Sequence, residues 1–234
     1  MAARVNTKQE ILEVLTSGEI VSALLTPKGS NYTFLVGIDD GHGSITKAVY
    51  KPQKGEAPLW DFEHGTLFKR EYASYLLSQI LGWDFIPETV IREGPYGIGS
   101  VQLYITHEEG SFYQSVRTSH SEQLLIIAVF DIIANNADRK DSHCIKDNDG
   151  KIWGIDQGLT FNNNLKLRTV IWDFWGQPIP KEVLSALRSF EKRYSDRVRD
   201  TADEFAKLLT PIEIEALLQR INWLTTLGKF PEVA

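Results

Sequence analysis

Residues 7–17 carry apolar side chains at helical spacing. Ile11, Leu12, Val14 and Leu15 form one face, the Thr-Lys-Gln-Glu run at 7–10 reads as a capping box, and Gly18 stops the helix. The pattern then becomes strand-like. YTFLVGI at 32–38 and SITKAVYK at 44–51 are strands joined by the Gly-containing DDGHG loop, as in a hairpin. After an irregular KPQKGEAPLWDFEHG segment, residues 66–82 return to helical spacing through Leu67, Tyr72, Tyr75, Leu76 and Ile80, with Gly82 as the stop. ETVIRE and GSVQLYI follow as short strands around the turn-rich GPYGIG. Residues 121–136 are apolar almost all round, which predicts a buried helix. HCIK and KIWGI read as short strands around the turn DNDG. PKEVLSALRSFEKRY, TADEFAKLL and TPIEIEALLQRINWLTTLG close the chain as helices, the last with Thr210 as cap, Pro211 in the first turn and Glu213 completing a capping box.

A β-rich part followed by a helical part predicts an α+β chain of two lobes facing a cleft, with residues 1–105 as the first lobe and 106–234 as the second. The 234 residues suffice for one such domain. A net charge of −6 argues against nucleic acid as the main partner, though small anions can be held locally by backbone N–H groups. The single cysteine, Cys144, rules out an intramolecular disulfide and fits a reducing cytosol. The N-terminus lacks a signal-type apolar core, and the longest apolar run, residues 124–130, is far short of a membrane span. The expectation is a soluble, cytoplasmic protein.

The candidate chemistry is concentrated in NNADRKDSHCIKDNDGKIWGIDQGLTF, residues 135–161. A hairpin over HCIK-DNDG-KIWGI returns the chain to its start, so Asp156 comes back near Asp138. Two such carboxylates can divide labour, one orienting or deprotonating a hydroxyl and the other holding a divalent metal against phosphates. Taken singly, each piece also reads as a solvated loop, and Asp147 and Asp149 as turn residues. DNDG lacks the ligand spacing and closing Glu of a calcium loop. Upstream, Lys51 ends a strand and Glu71 lies early in the next helix, the pairing by which kinases aim a lysine at phosphates. The turn Gly29, Ser30, Asn31 offers backbone N–H groups that can cover phosphates, and equally reads as an ordinary loop.

The ordered pieces KGSNYTF, AVYKPQKGE, REYASYLL, SVQLYI, NNADRKDSH and GIDQGLTF resemble the atypical kinases of the phosphatidylinositol 3-/4-kinase superfamily. They are closest to type II phosphatidylinositol 4-kinases and HipA-type bacterial kinases, and LWDFEHGTL resembles a bacterial PI3/PI4-kinase-like branch. The resemblance spans residues 28–161 and implies a bilobal protein-kinase-like fold, ATP with Mg²⁺ or Mn²⁺, and a hydroxyl-bearing acceptor. It implies that Lys51 contacts the α/β-phosphates and pairs with Glu71, and that Gly29, Ser30 and Asn31 form the phosphate loop. Backbone groups of Gln102, Leu103, Tyr104 and Ile105 would bond adenine, Asp138 would be the catalytic aspartate and Asp156 the metal aspartate. His143 stands where these relatives usually carry a metal-binding Asn. Three readings follow: His143 binds a manganese-like ion, Asp156 holds the only metal (with or without Asp141), or nucleotide binds with little turnover. Packing at the start of the hairpin is the fourth, bland reading.

The aromatic runs WDFEHG and WDFWGQP serve packing or shape a pocket, and Lys166 and Arg168 lie where kinases place a substrate loop. The other histidines, His42, His64, His107 and His120, have no metal-ligand spacing. The leading expectation is an ATP-dependent phosphotransferase. A non-catalytic nucleotide-binding scaffold and an AMP transferase are the alternatives.

Overall fold

The computed structural model describes residues 7–232 except 28, 199 and 201; the expectations for the first six residues and for residue 28 lie outside it. The chain forms two units, one made of residues up to Tyr75 with Pro87–Ile105, the other of Leu76–Ile86 with residues from Thr106 onward.

In the first unit, helix α1 (Lys8–Ser17) starts at the expected cap, where Thr7 accepts from Glu10 N–H and the Glu10 carboxylate accepts from Thr7 N–H. A five-stranded antiparallel sheet follows in the order β1-β2-β3-β5-β4, from β1 (Glu19–Leu25), β2 (Phe34–Asp39), β3 (Ile45–Pro52), β4 (Thr89–Gly94) and β5 (Gly97–Leu103). The period-two burial of Phe34, Val36 and Ile38 sets one face. The register extends that face across the sheet, with Phe34 opposite Tyr50, Val36 opposite Ala48, and Val101 opposite both Tyr50 and Val90. Leu15 of α1 packs into this row. Strand β1 was not foreseen. It is an edge strand with most residues exposed, so it lacks the apolar alternation by which a half-buried strand is recognised. Helix α2 (Leu67–Ile80), whose residues from Leu76 onward belong to the second unit, falls within the predicted window.

The second unit holds β6 (His107–Phe112), α3 (Tyr113–Val116), α4 (Ser121–Ala134), β7 (Cys144–Asp147), β8 (Ile152–Gly154), α5 (Lys181–Tyr194) and α6 (Pro211–Leu227). β6, β7 and β8 form a small antiparallel sheet. The DNDG turn has the expected structural role: Asp147 accepts from the N–H groups of Asp149 and Lys151, and Gly150 adopts φ +87°. Helix α6 opens on the predicted capping box of Thr210 and Glu213. The helix expected at TADEFAKLL is instead a run of turns over the described part, 202–209. There the Asp203 carboxylate accepts from Ala206 N–H and from the Tyr194 hydroxyl, a local alternative to the helical ladder. β6 and α3 escaped the sequence reading because HEEGSF is polar and Gly-containing and α3 is a single turn. Among the described residues no helix is long and apolar enough to cross a membrane.

Candidate functional site

Lys51 follows Tyr50 on β3, so it projects from the face of the sheet opposite the α1 core. On that side its ammonium pairs with the buried Glu71 carboxylate of α2. Three features of the intervening loop support the pair. Glu56 accepts from the N–H groups of Leu67 and Phe68, at 3.1 and 2.9 Å, and so caps the start of α2 with a carboxylate. Asn31 Oδ1 accepts from Ala57 N–H at 2.7 Å, and Gly55 C=O accepts from Tyr32 N–H, which fixes the segment carrying Glu56. Gly55 cannot be larger, because a Cβ there would sit 2.6 Å from Tyr32 Cβ. The roles of Glu56 and Gly55 emerge only from the fold. Their signal was a carboxylate following a glycine shortly before a helix.

Gly29 adopts φ +105°, a left-handed conformation suited to a tight polar turn. Asn31, expected in a phosphate loop, uses its side chain to hold residue 57. Along the expected adenine-binding stretch, Gln102 donates its side-chain amide to Thr89 Oγ1. Leu103 N–H donates to Glu88 C=O and Tyr104 N–H to Lys47 C=O. Ile105 ends this unit.

In the second unit, α4 carries Asp131 on an otherwise apolar surface, fully buried. Arg139, also fully buried, meets it through Nε and Nη2, the latter at 2.8 Å from Asp131 Oδ1. The same guanidinium donates to His143 C=O and Ile155 C=O, each at 3.2 Å, and to Gln157 Oε1 at 3.0 Å. Burial is the largest single influence and opposes the charge, but Asp131, through its charge and hydrogen bond, together with Cys144 and Asp156, holds the Arg139 pKa above its ordinary value. Arg139 is therefore not part of a solvated Asp-Arg loop. It is the internal tie that joins α4, the turn before β7 and the segment after β8. Asn135 adopts φ 54° at the end of α4 and binds the backbone of Asn162, Asn164 and Lys166. Asn136 donates to Asp131 and accepts from Asp138 N–H. Asp131, Asn135, Asn136 and Gln157 were missed as site-building residues. A lone Asp in an apolar helix, followed by Asn-Asn at its end, was the available signal.

The Asp138 carboxylate is held by two cations, Arg168 Nη2 at 2.8 Å from Oδ1 and Lys140 Nζ at 2.7 Å from Oδ2. The hairpin returns as expected, with Ile155 N–H donating to His143 C=O. Asp156 then takes φ 60°, a left-handed conformation that Asp tolerates better than most residues. Its Oδ2 lies 3.2 Å from His143 Nε2. His143 Nδ1 lies 3.5 Å from the Lys140 N–H, at the outer limit of a hydrogen bond. Desolvation lowers the His143 pKa, opposed chiefly by Asp156, so the imidazole is neutral at pH 7.

Neutral imidazole is the ligating form, and the 3.2 Å spacing matches neighbouring ligands of one ion, which lie about 3 Å apart at metal–ligand distances near 2.1 Å. The pair can contribute two ligands to a divalent cation, the imidazole suiting a softer ion than Mg²⁺. Among the described residues no group of three or more His, Cys, Asp or Glu side chains is arranged to hold a metal by itself.

No protein-family model matches the chain. It is 34% identical to protein Rv2133c of Mycobacterium tuberculosis, across an alignment of 246 positions covering 90% of this chain and 87% of that one. Phosphatidylinositol 4-kinase gamma 3 of Arabidopsis thaliana is 29% identical over 118 residues, which is 47% of this chain and only 20% of the plant protein. Two structures of the Golgi casein kinase, one with Mn/ADP bound, superpose with TM-scores of 0.58 and 0.56. Both are 15% identical and cover 94% of this chain; 73% and 74% of those chains are matched. The Helicobacter pylori proinflammatory kinase CtkA superposes with a TM-score of 0.51 at 12% identity, covering 92% of this chain and 94% of that one. The fold is α+β and kinase-like, as the sequence predicted.

Proposed function

The chain belongs to the family of protein Rv2133c, and we propose that it is an ATP-dependent phosphotransferase moving the γ-phosphate to a hydroxyl acceptor. The observation that carries this reading is the ion pair between a strand lysine, Lys51, and a buried helix carboxylate, Glu71. Such a pair holds an ammonium ready for phosphate oxygens, and its geometry has no need of a ligand to form. The Golgi casein kinase with Mn/ADP bound supports nucleotide and divalent metal as the cofactors. The partial match to a plant phosphatidylinositol 4-kinase supports a place beside the PI3/PI4-kinase-like enzymes.

In this reading Lys51 contacts the α/β-phosphates and Glu71 keeps it aligned. The backbone at Gly29–Asn31 covers the phosphates. Adenine meets residues 102–105 through groups other than the Leu103 and Tyr104 N–H, which serve the sheet. Asp156 and His143 would hold a divalent cation, whose charge would neutralise the phosphates. Asp138 accepts the proton of the attacking hydroxyl, with Lys140 and Arg168 fixing its orientation.

A second reading, nucleotide binding without transfer, draws on the same clamp, because both Asp138 oxygens are already engaged. One experiment separates the two, together with AMP transfer. The protein is incubated with γ- or α-labelled ATP and Mg²⁺ or Mn²⁺, offering protein, inositol-lipid and small-alcohol acceptors. Transfer of the γ-label is expected, falling about 10²–10³-fold in Lys51→Ala and Asp156→Ala, the usual effect of removing one charge-stabilising group. Binding without transfer favours the scaffold, and α-label transfer favours AMP transfer. A wild-type protein that binds no nucleotide ends the proposal.

A further inference from the structure

The second unit contains a cavity of about 540 Å³ that the phosphotransfer reading does not use. Ile132 of α4, Leu165 and Leu167 of the segment after Asp156, Trp175, and Trp223 and Arg220 of α6 line it. The volume lies within the range of small-molecule sites, and the walls are chiefly apolar.

Two residues of this lining each carry a water-shielded hydrogen-bond donor with no acceptor: Arg220 at Nη2 and Trp175 at Nε1. The rest of the Arg220 guanidinium is engaged, Nε with Ile133 C=O at 2.7 Å and Nη1 with Asn162 C=O at 3.2 Å. These are neutral carbonyls. Among the described residues no carboxylate pairs with Arg220, and the Glu213 carboxylate that acts on it from a distance is held in the α6 cap by Thr210. Desolvation accordingly pulls the Arg220 pKa down to about 10. Proteins seldom bury a cation without an anion, or an N–H without an acceptor. Arg220 and Trp175, both partly buried, line the same apolar cavity.

We propose that this cavity binds an aliphatic monocarboxylate, its tail against the leucine and tryptophan walls and its carboxylate on Arg220 and Trp175. A carboxylate brings two acceptor oxygens and one charge, matching two open donors and one unpaired guanidinium. A phosphate dianion would require more donors, and no lysine or second arginine lines the cavity. The same lack of clustered basic residues speaks against an anionic membrane surface, which attracts polybasic segments. Both open nitrogens are shielded from water, so entry needs a wall side chain to turn aside. Leu165, 81% exposed, has the least packing to lose.

The test is calorimetric titration with sodium decanoate below its micelle concentration, beside sodium butyrate, 1-decanol and phosphatidylglycerol vesicles. Decanoate is expected to bind at one saturable site, with butyrate and decanol each weaker by about tenfold or more. Arg220→Gln should remove the preference for decanoate over decanol. Ala216→Trp, which adds bulk at another lining position, should remove both while circular dichroism shows the fold intact. The proposal is overturned by decanol binding as well as decanoate, by Arg220→Gln binding decanoate like wild type, or by association with vesicles alone. Should Arg220→Gln fail to fold, undiminished decanoate binding by folded Ala216→Trp overturns it equally.

Discussion

Arg139 shows what one buried side chain can organise. Its guanidinium has no exposure, and it reaches Asp131, Gln157 and the carbonyls of His143 and Ile155. The residue before it is Asp138, and the residue after Ile155 is Asp156, so one charge fixes the backbone beside both candidate carboxylates. Removing one partner of such a pair leaves an uncompensated buried charge, whereas replacing both with apolar groups need not. Arg139→Met is therefore expected to destabilise the protein by about 3–5 kcal/mol in urea denaturation. Asp131→Leu combined with Arg139→Met should recover part of that loss. A double variant no more stable than the single one would show that the other Arg139 hydrogen bonds, not the ion pair, dominate.

At the scale of elements, α2 depends on a carboxylate from outside itself. Glu56 takes two N–H groups of its first turn, and the helix then carries Glu71 to Lys51. A helix start without its cap typically costs about 1 kcal/mol, within a range of 0.5–2. Glu56→Ala should lower stability by about that amount in urea denaturation. It should also weaken nucleotide binding, since the frayed turn lies just before Glu71. Glu56→Gln should retain more of both, because its amide oxygen can still accept one bond. Equal nucleotide binding by wild type and Glu56→Ala would separate the cap from the Lys51 site.

On the scale of the whole molecule, the candidate residues are shared between two units, Lys51 and Glu71 in one, Asp138, His143 and Asp156 in the other. If all act on one nucleotide, its binding must stabilise the protein through both. ADP with Mn²⁺ at a hundredfold over its Kd should add about 2.7 kcal/mol, read as a rise in melting temperature of about 5–10 °C for a chain this size. Lys51→Ala and Asp156→Ala should each abolish most of that rise, and chelation of the metal should do the same in the wild type. A rise unaffected by Asp156→Ala would detach the second unit's carboxylates from nucleotide binding.

The local periodicities sufficed for most elements. Capping boxes at Thr7 and Thr210, the α2 and α4 windows and the DNDG hairpin all depend on residues close in sequence, so they are legible there. The kinase-like order of motifs, and hence the fold, was legible for the same reason. The exposed edge strand β1, the turns replacing a helix at 202–209, and the polar β6 were not, because long-range pairing or a competing side-chain bond decides them. In the sequence the pairing of Lys51 with Glu71 rests on analogy alone; only the tertiary structure brings β3 and α2 close enough for the two side chains to meet. His143 stood open between metal ligand and packing residue. Tertiary structure places its imidazole, neutral and buried, 3.2 Å from Asp156. Arg139 looked like a solvated charge, and only the fold could reveal it as buried. Its partner Asp131 lies eight residues back inside an apolar helix, and burial of a charge is a property of what surrounds it, not of the residue itself.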